Sequence, residues 1–281
     1  MKLFTSLNIG KSGVKISVKD NILVLGSCFA DSVGARMLHS GMDVCVNPFG
    51  TLYNPLSIAK AVRRLSSGES FKEDDCVQMG AGAGLVCSFS HHTSFARKEQ
   101  EDFLSNANAS LKEACNKWKS CNKVIISLGT VWCYFRDGEV VSNCLKRPQA
   151  EFERKALSLA QTTSVLRGII EENPGKEFIF TVSPIRHLAD GAHANQLSKA
   201  TLLLAVQDVL GPGREYVPAY EILLDELRDY RFYAEDLSHP SNVAEEYIWE
   251  KFVGFAVPED QWETLNRNLK AWRHSQHRPM H

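Results

Sequence analysis

The sequence predicts an α/β protein, a mainly parallel sheet with helices on both faces. Three observations carry that expectation. Short, fully apolar runs recur along the chain, each stops at a glycine or a polar turn, and stretches with a helical apolar stripe lie between them. A run without polar alternation suits a strand covered on both sides, as in parallel sheets. Regular alternation of strand and helix signals argues for this architecture over an all-β fold or a helix bundle.

The first run is Ile22-Leu23-Val24-Leu25, stopping at Gly26. A helix follows, with Phe29, Val33 and Met37 stacked at i, i+4 and i+8. Asn54-Pro55 opens the next, a capping residue followed by proline at the first helical position. Its stripe is Ile58, Ala61, Val62 and Leu65. In the segment 68–97, Gly80, Gly82 and Gly84 predict an inserted loop or small hairpin. Phe103, Ala107, Leu111, Ala114 and Trp118 mark one face of a longer helix. Lys123 then opens a second strand, Val124 to Leu128, closed by Gly129.

Phe152, Ala156, Leu159, Thr163, Leu166 and Ile170 predict a helix over 150–171, halted by Asn173-Pro174-Gly175. The third strand, Phe178 to Val182, ends at Ser183-Pro184. A helix over 195–210, a short fourth strand near Tyr216-Val217 and a last helix starting close to Val243 complete the order. No internal repeat, low-complexity tract or linker interrupts the 281 residues, so one domain over 1–281 is expected.

Composition narrows the function classes. Hydrophobic residues make up 44% and charged residues 23%, as in ordinary globular proteins. A net charge of −1 leaves no surplus to neutralise a phosphate backbone, which argues against nucleic acid as a partner. The basic group Arg267, Lys270, Arg273, His274, His277 and Arg278 reads as the solvated end of a last helix. Polar residues break the first twenty positions throughout, and no apolar stretch approaches the roughly 18 residues of a membrane span. Neither a signal peptide nor a membrane partner is expected. Eight cysteines include no CxxC pair, which removes zinc-ribbon spacing and favours reduced thiols in the cytoplasm. No cofactor is indicated, and oligomeric state stays open, because a helix stripe reads alike against a core or a partner.

Right-handed crossovers bring the turns after successive parallel strands to one sheet edge, where ligands of such sheets bind. The first of these turns is Gly26-Ser27-Cys28-Phe29-Ala30. Two readings stand there. Ser27 caps the helix while Cys28 fills space, or one of the two is a nucleophile among the unpaired N–H groups of a helix start. In Asp236-Leu237-Ser238-His239-Pro240, one short turn can supply a base and the carboxylate that orients it. The plainer reading is a loop salt bridge or a helix-capping aspartate.

Arg186 and His187 follow the third strand, where Arg186 suits a substrate carboxylate or phosphate, or else an ion pair with Asp190 or Asp236. His91, beside His92 in the insertion, and Asn143, after a hairpin that follows the second strand, are further substrate-contact candidates. His91 also fits a structurally bonded histidine. The spacing of His91, His92 and His187 does not support a metal site.

Taken together, the motifs resemble the GSCFA family, a group placed with the SGNH (GDSL-like) hydrolases. Gly26-Ser27-Cys28-Phe29-Ala30 is similar to the signature that names it. Asn47 to Leu56, Ser127 to Thr130, Thr181 to His187, and Tyr230 to Asp236 leading into Asp-x-x-His resemble its later blocks in family order, over roughly residues 20 to 255. The resemblance implies a flavodoxin-like three-layer α/β/α fold and acyl-ester chemistry. It implies His239 as general base and then acid, Asp236 steering it, and an oxyanion hole holding the Gly50 backbone N–H. Thr130 would donate where the superfamily has an asparagine.

The superfamily's first block reads Gly-Asp-Ser, whereas here Cys28 occupies the serine slot and Ser27 the aspartate slot. Register favours Cys28 as nucleophile, with Ser27 as the alternative. The expected substrate is a small-molecule or glycan acyl ester, such as an acetylated sugar. An acyltransferase on the same site and a non-catalytic binding module are the competing readings.

Overall fold

The computed structural model describes residues 5–276. The chain begins with β1 (Asn21–Gly26), α1 (Cys28–His39), β2 (Asp43–Val46) and α2 (Pro55–Ser67). An insertion follows, with short strands β3 (Val77–Gln78) and β4 (Val86–Cys87), before α3 (Gln100–Ser120) and β5 (Lys123–Leu128). Next come β6 (Trp132–Arg136), β7 (Glu139–Val141), β8 (Glu153–Ala156), α4 (Leu159–Glu171) and β9 (Glu177–Val182). The last part holds α5 (Ala192–Gln207), β10 (Arg214–Val217), a short α6 (Ala219–Glu221) running into a π turn at Ile222–Leu227, α7 (Asn242–Ala256) and α8 (Trp262–Gln276).

Five strands form one wholly parallel sheet in the order β10-β9-β5-β1-β2. Numbered among themselves in chain order, these strands run 2-1-3-4-5, the flavodoxin-like arrangement. Side chains alternate between the two faces, as the strand period requires. Leu23, Leu25, Val124, Ile126, Phe178 and Phe180 pack into a core with α2, α3, α4 and α5. Ile22, Val24, Ile125, Ile179 and Val217 pack into the opposite core with α1, α7 and α8. Continuous apolar runs are what such two-sided burial demands. The fold is a three-layer α/β/α sandwich, as expected.

Two local expectations are corrected. The helix expected over 150–171 begins only at Leu159, because Ser158 caps it and forms a reciprocal capping box with Gln161. Residues Glu153–Ala156 instead pair antiparallel with β6, so Phe152 and Ala156 share a helical spacing with Leu159 without sharing its helix. The helix starting near Val243 is followed by α8, which packs Leu265 and Leu269 into the core. The basic group of the C-terminal region sits partly on α8, while His277 and Arg278 lie outside the described residues. The inserted segment is a small hairpin, with β3 and β4 antiparallel.

Candidate active site at the carboxyl edge of the sheet

The turn leaving β1 is built around close contact with β5. Gly26 has φ +139°, and a Cβ there would lie 2.1 Å from the Ser127 carbonyl oxygen, so the position excludes any side chain. Ser27 caps α1, its Oγ accepting from the Phe29 N–H at 3.3 Å and lying 3.1 Å from Ser127 Oγ. It is wholly buried, at 0% exposure, which leaves its hydroxyl a structural group. Cys28, the first residue of α1, is half-buried and reaches solvent. Its backbone N–H has no partner among the described residues, and its Sγ lies 3.4 Å from the Tyr53 hydroxyl. Of the two adjacent nucleophile candidates, only Cys28 is accessible.

Tyr53 is held by its backbone and its oxygen at once. Its carbonyl accepts N–H groups from both Gly129 (2.8 Å) and Thr130 (2.9 Å), which ties the loop before α2 to the turn after β5. Its hydroxyl accepts from Thr51 Oγ1 at 3.2 Å, leaving the phenolic proton free to point at Cys28. Burial, reinforced by the Cys28 contact, pushes the phenol up to about 12, so Tyr53 stays a protonated donor at neutral pH.

On the far side of this edge, the Asp236–His239 turn closes on itself. Asp236 Oδ1 accepts from the Ser238 and His239 N–H groups, both at 2.9 Å, and Oδ2 lies 2.5 Å from His239 Nδ1. These backbone bonds, then the imidazole bond, hold the Asp236 carboxyl down to about 2. The turn places Leu237 in the strained left-handed region, at φ +53°. The carboxylate fixes the His239 tautomer, and Nε2 has no partner among the described residues.

The turn after β9 lies between these two groups. The Arg186 N–H donates to the Ser238 carbonyl at 3.0 Å, pinning this turn to the histidine loop. The His187 ring meets Tyr53 edge-on, with centroids 6.1 Å apart. Its Nε2 is sealed from solvent without a hydrogen-bond partner. Burial first, with the Lys199 charge second and His239 also contributing, pushes the His187 imidazole down to about 4, so it is neutral at neutral pH. No direct hydrogen bond joins Cys28 to His239. Cys28 touches Tyr53, and Tyr53 in turn packs edge-on against His187.

A profile described as the GSCFA family matches residues 21–252. The chain belongs to the GSCFA family. No curated protein and no solved structure matches it.

Within this GSCFA chain, several expected site groups are otherwise engaged. The Gly50 N–H donates to the Asn47 carbonyl at 2.7 Å and closes a turn, so it is not open to a substrate oxygen. The Thr130 hydroxyl lies 3.1 Å from Ser198 Oγ and accepts the Trp132 N–H, and the residue is buried. His91 is enclosed at 0% exposure by Phe49, Phe71, Phe95 and Phe103, with Nδ1 bonded to Ser88 Oγ at 2.7 Å. Burial pushes that imidazole down to about 3. It is a core histidine and not a substrate contact. Asn143 accepts the Leu145 N–H in its own turn and makes no hydrogen bond to Cys28 or His239.

Three residues around this candidate site had no signal of their own in spacing. Tyr53 and Asn47 lie inside the second block. Asn47 adopts φ +42°, its Oδ1 accepts the Gly26 N–H at 2.8 Å, and its Nδ2 donates to Asp31 Oδ1 at 2.6 Å. It therefore braces the turn that presents Cys28. Lys199 on α5 is buried and donates to the carbonyls of Gly129 (2.7 Å) and Ser183 (2.8 Å), joining the turns after β5 and β9. Among the described residues, no group of three or more His, Cys, Asp or Glu is arranged to hold a metal ion, no helix is long and apolar enough to cross a membrane, and all eight cysteines are free.

Proposed function

We propose that this GSCFA protein is an acyl-ester hydrolase of SGNH type that works through a covalent thioester on Cys28. The observation that carries the reading is the Asp236–His239 bond, on the same sheet edge as the accessible thiol. An oriented imidazole with an unoccupied Nε2 is the arrangement acyl transfer needs.

The thiol proton passes to His239 Nε2 through one water, since no hydrogen bond joins the two groups directly, and Cys28 Sγ attacks the acyl carbon. The tetrahedral adduct collapses as His239 returns that proton to the departing alkoxide, leaving a thioester. Water, deprotonated by His239, then adds to the thioester carbon; the acid leaves and the thiolate regains its proton. The half-exposed His239 ring, at 45% side-chain exposure, gives water access for that second step.

The developing oxyanion needs donors. With Gly50 and Thr130 committed to the fold, the groups that support this role are the free Cys28 N–H and the Tyr53 hydroxyl. Tyr53 is suited to it because burial keeps its proton on. The substrate is a small-molecule or glycan acyl ester, and each step above uses only groups of this chain and water. 4-Nitrophenyl acetate tests the reading. Acetyl is expected on the Cys28 peptide, and His239→Ala is expected to lower kcat by about 10²–10⁴. Equal turnover of short acyl esters by the wild type and Cys28→Ala would refute it.

A further inference from the structure

Arg186 carries more charge at this edge than the fold uses. Its backbone N–H is bonded to the Ser238 carbonyl, so the side chain starts beside the loop that presents His239. Two acids were candidates to neutralise it, and each is taken. Asp190 pairs with Arg154, and Asp236 is engaged by His239 and by two backbone N–H groups. Among the described residues, the Arg186 guanidinium has no ion pair and no hydrogen bond. Its close neighbour is the Tyr233 ring, 6.0 Å from the guanidinium carbon.

The other cations of this region have no such capacity. Lys199 is buried and divides its protons between Gly129 and Ser183. Arg154, besides its pairing with Asp190, lies 4.1 Å over the Trp132 ring. A guanidinium presents five donors in a rigid plane matched to two oxygens of one anion. Arg186 is only partly buried and none of these donors is used within the described residues, so the plane is open to an incoming anion.

We propose that Arg186 is the anchor of an anion subsite, and that the natural acyl ester bears a carboxylate or phosphate group that this guanidinium grips beside His239. The proposal rests on the hydrolase reading for the identity of the substrate, but the subsite is testable by itself. Its chemistry is bidentate recognition of an oxyanion, with the Tyr233 ring alongside to orient the guanidinium plane. The anion places the ester against the catalytic loop. It takes no part in bond making.

Two measurements separate the subsite from the hydrolase reading. The first compares kcat/KM for 4-nitrophenyl acetate with that for mono(4-nitrophenyl) succinate, which carries a free carboxylate, each net of its uncatalysed hydrolysis. The wild type is expected to favour the succinyl ester by about tenfold, a preference that shrinks as salt rises. In Arg186→Gln the ratio of the two kcat/KM values should fall by about tenfold, with Arg186→Lys between them. The second measurement maps phenylglyoxal modification of Arg186 in the wild-type protein, with and without inorganic phosphate or succinate. Protection by succinate alone assigns a carboxylate site, and protection by phosphate assigns a phosphate site. Anion protection without ester turnover would end the hydrolase reading and leave the subsite standing. Ester turnover with no charge preference and no protection would overturn the subsite alone.

Discussion

The Tyr53 hydroxyl lies 3.4 Å from Cys28 Sγ and itself accepts a hydrogen bond from Thr51. A donor so placed stabilises charge on the sulfur and on the oxygen of an acyl adduct attached to it. Tyr53→Phe should therefore slow alkylation of Cys28 by iodoacetamide by about tenfold, and lower ester turnover by a similar factor. Peptide mapping of the alkylated chain checks the first effect. Unchanged alkylation would show that the phenol does not support the thiolate.

Ser27 and Cys28 should behave in opposite ways. Ser27 is buried and caps α1, so Ser27→Ala is expected to cost about 1 kcal/mol of stability while leaving an acylatable site. Cys28→Ala should do the reverse, abolishing acylation at little cost to the fold. Urea unfolding and mass mapping of acyl-enzyme decide between them, and a serine-directed phosphonate found on Ser27 would reverse the assignment.

Acid should weaken the fold through two buried imidazoles. His91 and His187 are held down from 6.5 to about 3 and about 4, in both cases chiefly by burial. Between those values and 6.5 the unfolded chain binds protons that the native chain refuses, so stability falls as pH drops through this window. Well above pH 6.5 neither group contributes a slope. Replacing His91 by Phe, compatible with its aromatic surroundings, removes one share of the loss. The urea midpoint of His91→Phe, relative to wild type, should improve steadily from pH 7 to about pH 4.5, and parallel profiles would count against the assignment.

Two glycines predict opposite outcomes. At Gly26 an added Cβ would strike the Ser127 carbonyl, so Gly26→Ala should cost more than about 2 kcal/mol and disturb the Cys28 turn. At Gly254, inside α7, a methyl group would meet nothing within 4 Å, and Gly254→Ala should stabilise by about 0.5–1 kcal/mol. Thermal unfolding of both variants is sufficient to test the pair.

The central strands were legible because β1, β5 and β9 are buried on both faces and must be apolar throughout. β2 was not, since Asp43-Val44-Cys45-Val46 is short and lies at the sheet edge, where burial is incomplete. β8 was hidden for another reason: its pairing with β6 is a long-range fact, while Phe152 and Ala156 mimic the period of the helix behind them. At the site, Asp236 and His239 could be read as a pair because one turn supplies both. Separating His91 from His187 required burial, although the nearby Phe95 was a hint of the aromatic cage around His91. Tyr53 acts through contacts to residues 25 and some 75 positions away, which no local pattern reports.

The two hydrogen bonds from the turn after β5 to the Tyr53 carbonyl set an asymmetry in how this segment tolerates change. A replaced side chain leaves the main-chain anchor in place, although exchanging Tyr53 removes the phenol itself. Lengthening or shortening the stretch between Gly50 and Asn54 would unhook that anchor and carry the phenol away from the sulfur. Replacement should therefore be better tolerated here than any change of length.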